Sequence, residues 1–479
     1  MSCQPREPGW RTRSTRSCDS IQGSSRVCFP GHAGAIAIPD HWSSRGYGQT
    51  IVQVFGGLAI TPLKARISMR ACALILVSLI GVLIALPTMA ANKWSVGVNT
   101  LFVEEYALAR GAQCSNCPSN VQPRTLAEIE AIINDLAINQ HVRTFREIIP
   151  MELLSPNGLH TSSGEKLAVD SSNYEIIDSI ISLFSKQKLH LLLAIGNPIP
   201  AWAAPWGNLY SCFLPPATDT AEFNILKNNI AWSVGNYLSH LKNIGYGEWM
   251  AGSLQTASSG GLFVEGFNEW NENASYKDCK DFAAATPQRA ASLENAIGWV
   301  AKYYGVTVNF AAPSISFPSQ GVDEWYVSYY AAGGNGAPNV HIYGNGLPNP
   351  GDSEAAVLYA KGQLKRLVNA VPSRYKAQVI WGETGFGEAG PHCDGTASLA
   401  ADEWAKYDAA AAKIITGADS ELTRAVQLFT VWRLDRLADQ SSCEASIGIV
   451  TSDLVVYLPP ASQMFRYLGG SGVRGKARQ

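Results

Sequence analysis

From Lys93 onward, short apolar runs alternate with longer stretches whose apolar residues recur at helical spacing. The short runs are WSVGV (94–98), HVRTF (141–145), LHLLLAI (189–195), LFVEGF (262–267), VTVNFA (306–311), NVHIY (339–343), AQVIW (377–381) and VQLFTVW (426–432). Each is nearly continuous in apolar character, the pattern of a parallel strand buried on both faces. Between them, residues 125–139, 174–187, 223–243, 289–304, 353–370 and 399–415 carry apolar side chains at i, i+3, i+4 and i+7, which predicts helices.

Eight such strands in alternation with helices over roughly 375 residues predict an α/β fold, a (β/α)8 TIM barrel forming one catalytic domain over 92–470. Residues 471–479 then form a flexible tail. The surplus over the usual ~250 residues of a barrel falls after the strands, in 99–124, 196–219, 268–283, 312–322 and 383–398. Long loops on one barrel face are where such folds build sites. A doubly wound open sheet would instead want a Gly-rich phosphate turn after its first strand, and VGVNTLF (96–102) has none. The late GSGVRGKA (470–477) mimics a phosphate loop, but Ala477 stands where a Ser or Thr should be and no helix follows.

The chain preceding the barrel follows another pattern. Met69 to Ala91 reads as a secretory signal: Arg70, an apolar stretch from Ala73 to Leu86, then the small-residue site Thr88-Met89-Ala90. A membrane anchor needs about 20 apolar residues, and the small-residue site favours cleavage over a stable span. Residues 1–68 show no sustained period, so translation is expected to begin at Met69, with 1–68 a disordered start-site artefact. The product is then secreted or periplasmic.

Charge narrows the partner. The first 68 residues hold eight of the 37 basic and three of the 39 acidic side chains, which leaves 29 against 36. That excess of acid is no nucleic-acid footprint and no polybasic membrane surface. A neutral oligo- or polysaccharide suits it, and the 13 Trp of the chain supply flat apolar faces for one. Six cysteines (114, 117, 212, 279, 393 and 443) follow the signal. An even number in an exported chain suggests disulfides, with fifteen connectivities open. Cys114-Ser-Asn-Cys117 has no second pair at zinc spacing, so no metal is expected.

On a barrel, residues at the C-terminal strand ends converge on the axis. The acids there are Glu269, or Glu272, after the fourth run and Glu383 after the seventh, with Glu388 further on. They are joined by Arg143 and Arg146 near the second run, His341 and Tyr343 on the sixth and Trp432 on the eighth. Two facing carboxylates are what glycosidic cleavage needs: one gives a proton to the leaving oxygen, the other attacks the anomeric carbon or activates water. Glu269 and Glu383 sit at the rigid strand ends, whereas Glu272 and Glu388 lie further into loops.

FVEGFNEWN (263–271) and VIWGETGFG (379–387) resemble strands four and seven of the retaining β-glycosidase clan of (β/α)8 barrels, closest in pattern to glycoside hydrolase families 39 and 5. The resemblance implies that Glu269 is the acid/base, Glu383 the nucleophile and Asn268 a donor to the sugar. It implies a strand-two Arg, matched by Arg143 in HVRTF with Arg146 competing. It also gives the strand-six His and Tyr as His341 and Tyr343, and Trp432 as the floor of the sugar site. Trp206 is the next aromatic expected to stack on sugar, while Trp202, Trp270 and Trp381 read as core. The clan needs no cofactor. Trp270 departs from the Pro that usually follows the catalytic Glu. A barrel that has kept its aromatic cleft but lost catalysis is the competing reading.

Overall fold

A computed structural model describes residues 96–112, 121–162, 166–196, 199–200, 202–204, 214–252, 260–270, 285–317, 322–342, 353–384 and 426–431, with 422, 462, 464–466 and 471. Its main sheet is parallel. In space the strands run β7 (Asn309–Ala311), β6 (Gly261–Glu265), β5 (His190–Gly196), β2 (Thr144–Pro150), β1 (Val96–Thr100), β11 (Val426–Val431), β10 (Val379–Thr384), β9 (Asn339–Ile342) and β8 (Ile315–Phe317). β7 and β8 are two pieces of one barrel strand, broken at Ala312-Pro313-Ser314, where Pro313 cannot donate to a ladder. The first piece pairs with β6 and the second with β9. A parallel bridge between Ala311 and Ala337 joins the ends, with Ala337 N donating to Phe310 O (2.9 Å) and Ala312 N to Ala337 O (2.8 Å). Eight strand positions thus close into the ring that the run pattern predicts.

Alternation along the strands divides the core in two. Leu192, Phe263, Ala311, Ala337 and Ile380 form a small plug inside the ring. Their neighbours Leu191, Leu193, Leu262, Val264, Val379 and Trp381 face outward into the larger layer beneath the helices. Those helices include α1 (Phe102–Ala109), α2 (Leu126–Asn134), α3 (Met151–Leu154), α4 (Tyr174–Lys186), α5 (Thr220–Leu241), α6 (Gly247–Met250), α7 (Pro287–Tyr303), α8 (Val322–Ala331) and α9 (Ser353–Ala370). Their starts follow capping chemistry. Thr125 and Glu128 form a capping box on α2, Asp219 accepts from Glu222 N on α5, and Thr286 caps α7 just before Pro287.

Several expectations are refined. The stretch 99–124 is not wholly loop, because α1 lies in it. A two-stranded hairpin, β3 (Leu159–Ser162) with β4 (Lys166–Val169), follows β2. The second barrel strand starts at Thr144, three residues later than the run 141–145 suggests. The signal segment, all six cysteines, the helix expected at 399–415 and the sites of Tyr343, Trp432, Trp206, Glu272 and Glu388 lie outside the described residues. Among the described residues no helix is long and apolar enough to cross a membrane.

Candidate active site

The inward parity that places Leu192, Phe263 and Ile380 in the plug continues upward to the strand ends. On β2 it selects Arg146, on β6 Glu265, on β1 Asn99 and on β9 His341, all buried. Glu383 breaks strict alternation, since Ile380 and Gly382 already claim the inward positions. A β-bulge resolves this: Trp381 pairs with Val340 and Glu383 with His341, leaving Gly382 as the extra residue. The bulge turns Glu383 into the ring. It also favours glycine, because a Cβ on residue 382 would lie 2.3 Å from Asn339 Oδ1 and displace that side chain.

Arg146 organises the centre. Its Nε and Nη2 grip Glu265 in a bidentate pair (2.7 and 2.8 Å), Nη2 also reaches Asn268 Oδ1 (2.7 Å), and Nη1 donates to Asn99 Oδ1 (2.8 Å) and Glu383 Oε1 (2.5 Å). Asn99 Nδ2 in turn donates to Gly382 O (3.3 Å), tying β1 to the bulge. Burial pushes the Glu265 carboxyl up, but the Arg146 guanidinium outweighs it, so Glu265 sits below the usual carboxylate range.

Glu269 follows β6 in a left-handed conformation (φ 45°) that a non-glycine residue adopts only when its surroundings hold it. Ser314, in the break between β7 and β8, does so. Its Oγ accepts from Glu269 N (2.7 Å), its carbonyl accepts from Trp270 N (2.9 Å), and its own N–H donates to Phe267 O (3.2 Å). Trp270 is fully buried against Phe267, and its Nε1 donates to Thr286 O (3.3 Å) at the start of α7. This ring anchors the turn that presents Glu269, as the core reading of Trp270 expects.

His341 lies between the two acids, with Nδ1 3.0 Å from Glu269 Oε1 and 3.3 Å from Glu383 Oε2. One donor atom from each of the three side chains falls within 4.8 Å of the others. Such a spacing can suit a cation as well as a reacting carboxylate pair. The Arg146 guanidinium already supplies positive charge at Glu383, which favours the pair. The acids differ in surroundings: the Glu269 side chain is 21% exposed and that of Glu383 4%.

Of the residues singled out in the sequence, the fold brings together Glu269, Glu383, Asn268 and His341. Arg143 is a correction. It precedes β2 at the far end of the barrel, where Nη2 donates to the carbonyls of Gln187 (3.5 Å) and Lys188 (3.1 Å). Its competitor Arg146 holds the site instead. Glu265, Asn99 and Ser314 were missed. Glu265 did leave a signal: an acid in the middle of the apolar strand LFVEGF must find a buried cation.

No protein-family model matches the chain, and no curated protein matches it in sequence. Among solved structures it is similar to a GH5-4 broad specificity endoglucanase from Clostridium acetobutylicum, at 11% identity over 78% of this chain and 96% of that one, with a TM-score of 0.49. It is also similar to a monomeric β-xylosidase from Caulobacter crescentus CB15 (12% identity, 80% and 69% covered, TM-score 0.46). A third is the exo-β-1,4-mannosidase Op5Man5 from Opitutaceae bacterium strain TAV5 (14%, 79% and 60%, TM-score 0.49).

Proposed function

We propose that the chain is a glycoside hydrolase that cleaves β-linked oligo- or polysaccharides with retention of configuration. The observation that carries this reading is the pair Glu269 and Glu383, facing each other across His341 with carboxylate oxygens within 4.8 Å. Oxygens that near one another support the ~5–5.5 Å spacing of carboxyl groups in a double displacement over the ~6.5–9.5 Å that an inverting water requires.

The environments of the two acids support a division of roles in this reading. Glu383 is the more buried acid and its oxygen receives Arg146, which stabilises the carboxylate form a nucleophile needs. Glu269, at the more open rim, takes the part of acid/base: it protonates the departing oxygen, then deprotonates the water that releases the glycosyl–Glu383 intermediate. His341 Nδ1 can give a hydrogen bond to either acid and so helps keep both in place. Asn268, oriented by Arg146 Nη2, is set to donate through its amide nitrogen to a sugar hydroxyl. Tyr343, Trp432 and Trp206 complete the sugar site in this proposal. Export through the segment from Met69 and disulfides among the six cysteines belong to the same reading, and fractionation of cells tests the export.

The deciding experiment is a panel of activated aryl β-glycosides with wild type, Glu269→Gln and Glu383→Gln, and the anomer of the first product read by NMR. Glu383→Gln is expected to lose at least 10³-fold in kcat/KM, on the order of 4 kcal/mol of barrier. Glu269→Gln should lose less on substrates with good leaving groups, which need little protonation. Turnover surviving Glu383→Gln, or an inverted first product, refutes the mechanism. Oligosaccharide binding without turnover on any substrate would favour the non-catalytic barrel.

A further inference from the structure

Glu265 has no part in the two-carboxylate mechanism, yet it holds more of Arg146 than either reacting acid does. The guanidinium has five N–H donors, and five contacts engage it: two to Glu265 and one each to Asn268, Asn99 and Glu383. The fork-to-fork grip on Glu265 fixes the plane of the guanidinium, so that only its Nη1 edge reaches Glu383. Arg146 and Glu265 are fully buried, where solvent screens charge little.

Building on the proposed glycosidase reading, we propose that Glu265 is a positioning residue that sets the ionisation of the reacting pair. It places a compensating negative charge on the face of Arg146 turned away from Glu383. Arg146 standing alone beside Glu383 would hold that acid so firmly as an anion that it becomes a poor nucleophile. It would also draw the proton off Glu269, which must be protonated to assist departure. With Glu265 in place, Arg146 orients Glu383 and Asn268 while most of its charge is spent elsewhere. Among the described residues the charged or titratable groups facing this centre are Arg146 from β2, Glu265 and Glu269 from β6 and its turn, His341 from β9 and Glu383 from β10, with the buried Tyr326 hydroxyl of α8 close enough to feel the charge of Glu265. Glu147, the next residue on β2, is turned the other way, to Thr100 and Val103 N. Ser314 holds the turn that follows Glu265, since its hydroxyl oxygen accepts from Glu269 N and its hydroxyl donates to Phe267 O (3.4 Å).

The test reads ionisation directly and needs no substrate. Protein carrying ¹³C at the Glu side-chain carboxyl is titrated by NMR, with the signals of Glu269, Glu383 and Glu265 assigned through Glu269→Gln, Glu383→Gln and Glu265→Asp. In Glu265→Gln, which keeps the shape and removes the charge, the Glu383 midpoint is expected to fall by about one pH unit. In Glu265→Asp, which keeps the charge on a shorter stem, it should stay near the wild-type value. Where turnover is present, the acid limb of the kcat/KM profile moves with the midpoint. An unchanged Glu383 midpoint in Glu265→Gln overturns the proposal, and so does an equal fall in Glu265→Asp, which would make the fork's geometry the cause. Should Glu265→Gln fail to fold, the wild-type titration still decides. Glu265 must remain ionised at every pH where Glu383 titrates, and joint titration of the two acids sinks the idea. A protein with the shifted midpoint but no turnover would refute the glycosidase reading alone.

Discussion

Arg143 and Arg146 stand three residues apart, and the difference between them is the difference between a strand's start and its working end. Arg146→Ala would leave Glu265 as a buried carboxylate without its cation, a loss of about 3–5 kcal/mol, and would remove the donor on Glu383. Arg143→Ala removes hydrogen bonds to the carbonyls of Gln187 and Lys188 at a half-buried site, each worth about 1 kcal/mol, and leaves no buried acid uncompensated there among the described residues. Chemical denaturation should therefore separate the two variants, with turnover lost in Arg146→Ala and retained in Arg143→Ala. Equal stability and activity in the pair would mean that Arg146 does not organise the site. Trp270 also settles at this scale. Its ring fills the core behind the turn, and with Ser314 it holds Glu269 in the left-handed conformation that presents the carboxylate.

At the scale of the element, the strand misread in the sequence shows what apolar pattern can and cannot reveal. TFREIIP carries two adjacent charges, Arg146 and Glu147, so its apolar run looks finished at Phe145. Both charges are buried: Arg146 is satisfied across the barrel and Glu147 by Thr100 and Val103 N, one on each face of the strand. Pattern reading has no means of knowing that partners from other elements will receive these side chains. The same blindness hides α1, whose Glu104 and Glu105 are buried. Order and spacing of the eight barrel strands, by contrast, were legible, because strands buried on both faces must be apolar throughout. Glu269 and Glu383 were legible as strand-end acids. The bulge that aims Glu383 inward was not, since it depends on the register of β9 against β10. Gly382 is its one trace in the sequence. Gly382→Ala would drive a methyl into Asn339 Oδ1, so either the buried Asn339 amide must turn or the bulge must relax. We expect at least a 10²-fold fall in kcat/KM with roughly 1–3 kcal/mol of lost stability. Retained activity with the same stability loss would show that the bulge can shift without moving Glu383.

Over the whole molecule, two carboxyls remote from the reacting pair govern how stability should depend on pH. Glu147 is sealed between β2 and α1, accepting from Thr100 Oγ1 and Val103 N, and Glu294 on α7 accepts from the Tyr329 hydroxyl and Asn335 N. Burial outweighs those hydrogen bonds and pushes each carboxyl up from an ordinary 4.5 to about 7. The folded protein therefore holds protons that the unfolded chain has released between about pH 4.5 and pH 7. Each group's contribution is complete below the unfolded value and fades as pH rises through about 7, with roughly 3 kcal/mol at stake for each. Glu265 works in the opposite sense. Held below the usual range by Arg146, it contributes above the unfolded carboxylate value and is lost as pH falls further. The protein should thus be more stable at pH 5.5 than at pH 8 and should weaken again on strong acidification. Urea midpoints across that range measure it. The substitutions Glu147→Gln and Glu294→Gln, each neutral at every pH, should flatten the fall between pH 5.5 and pH 8, with the double variant the flattest. If wild type is instead equally stable at both pH values, these carboxyls are ionised in the folded state, and the hydrogen bonds at β2 and α7 outweigh their burial.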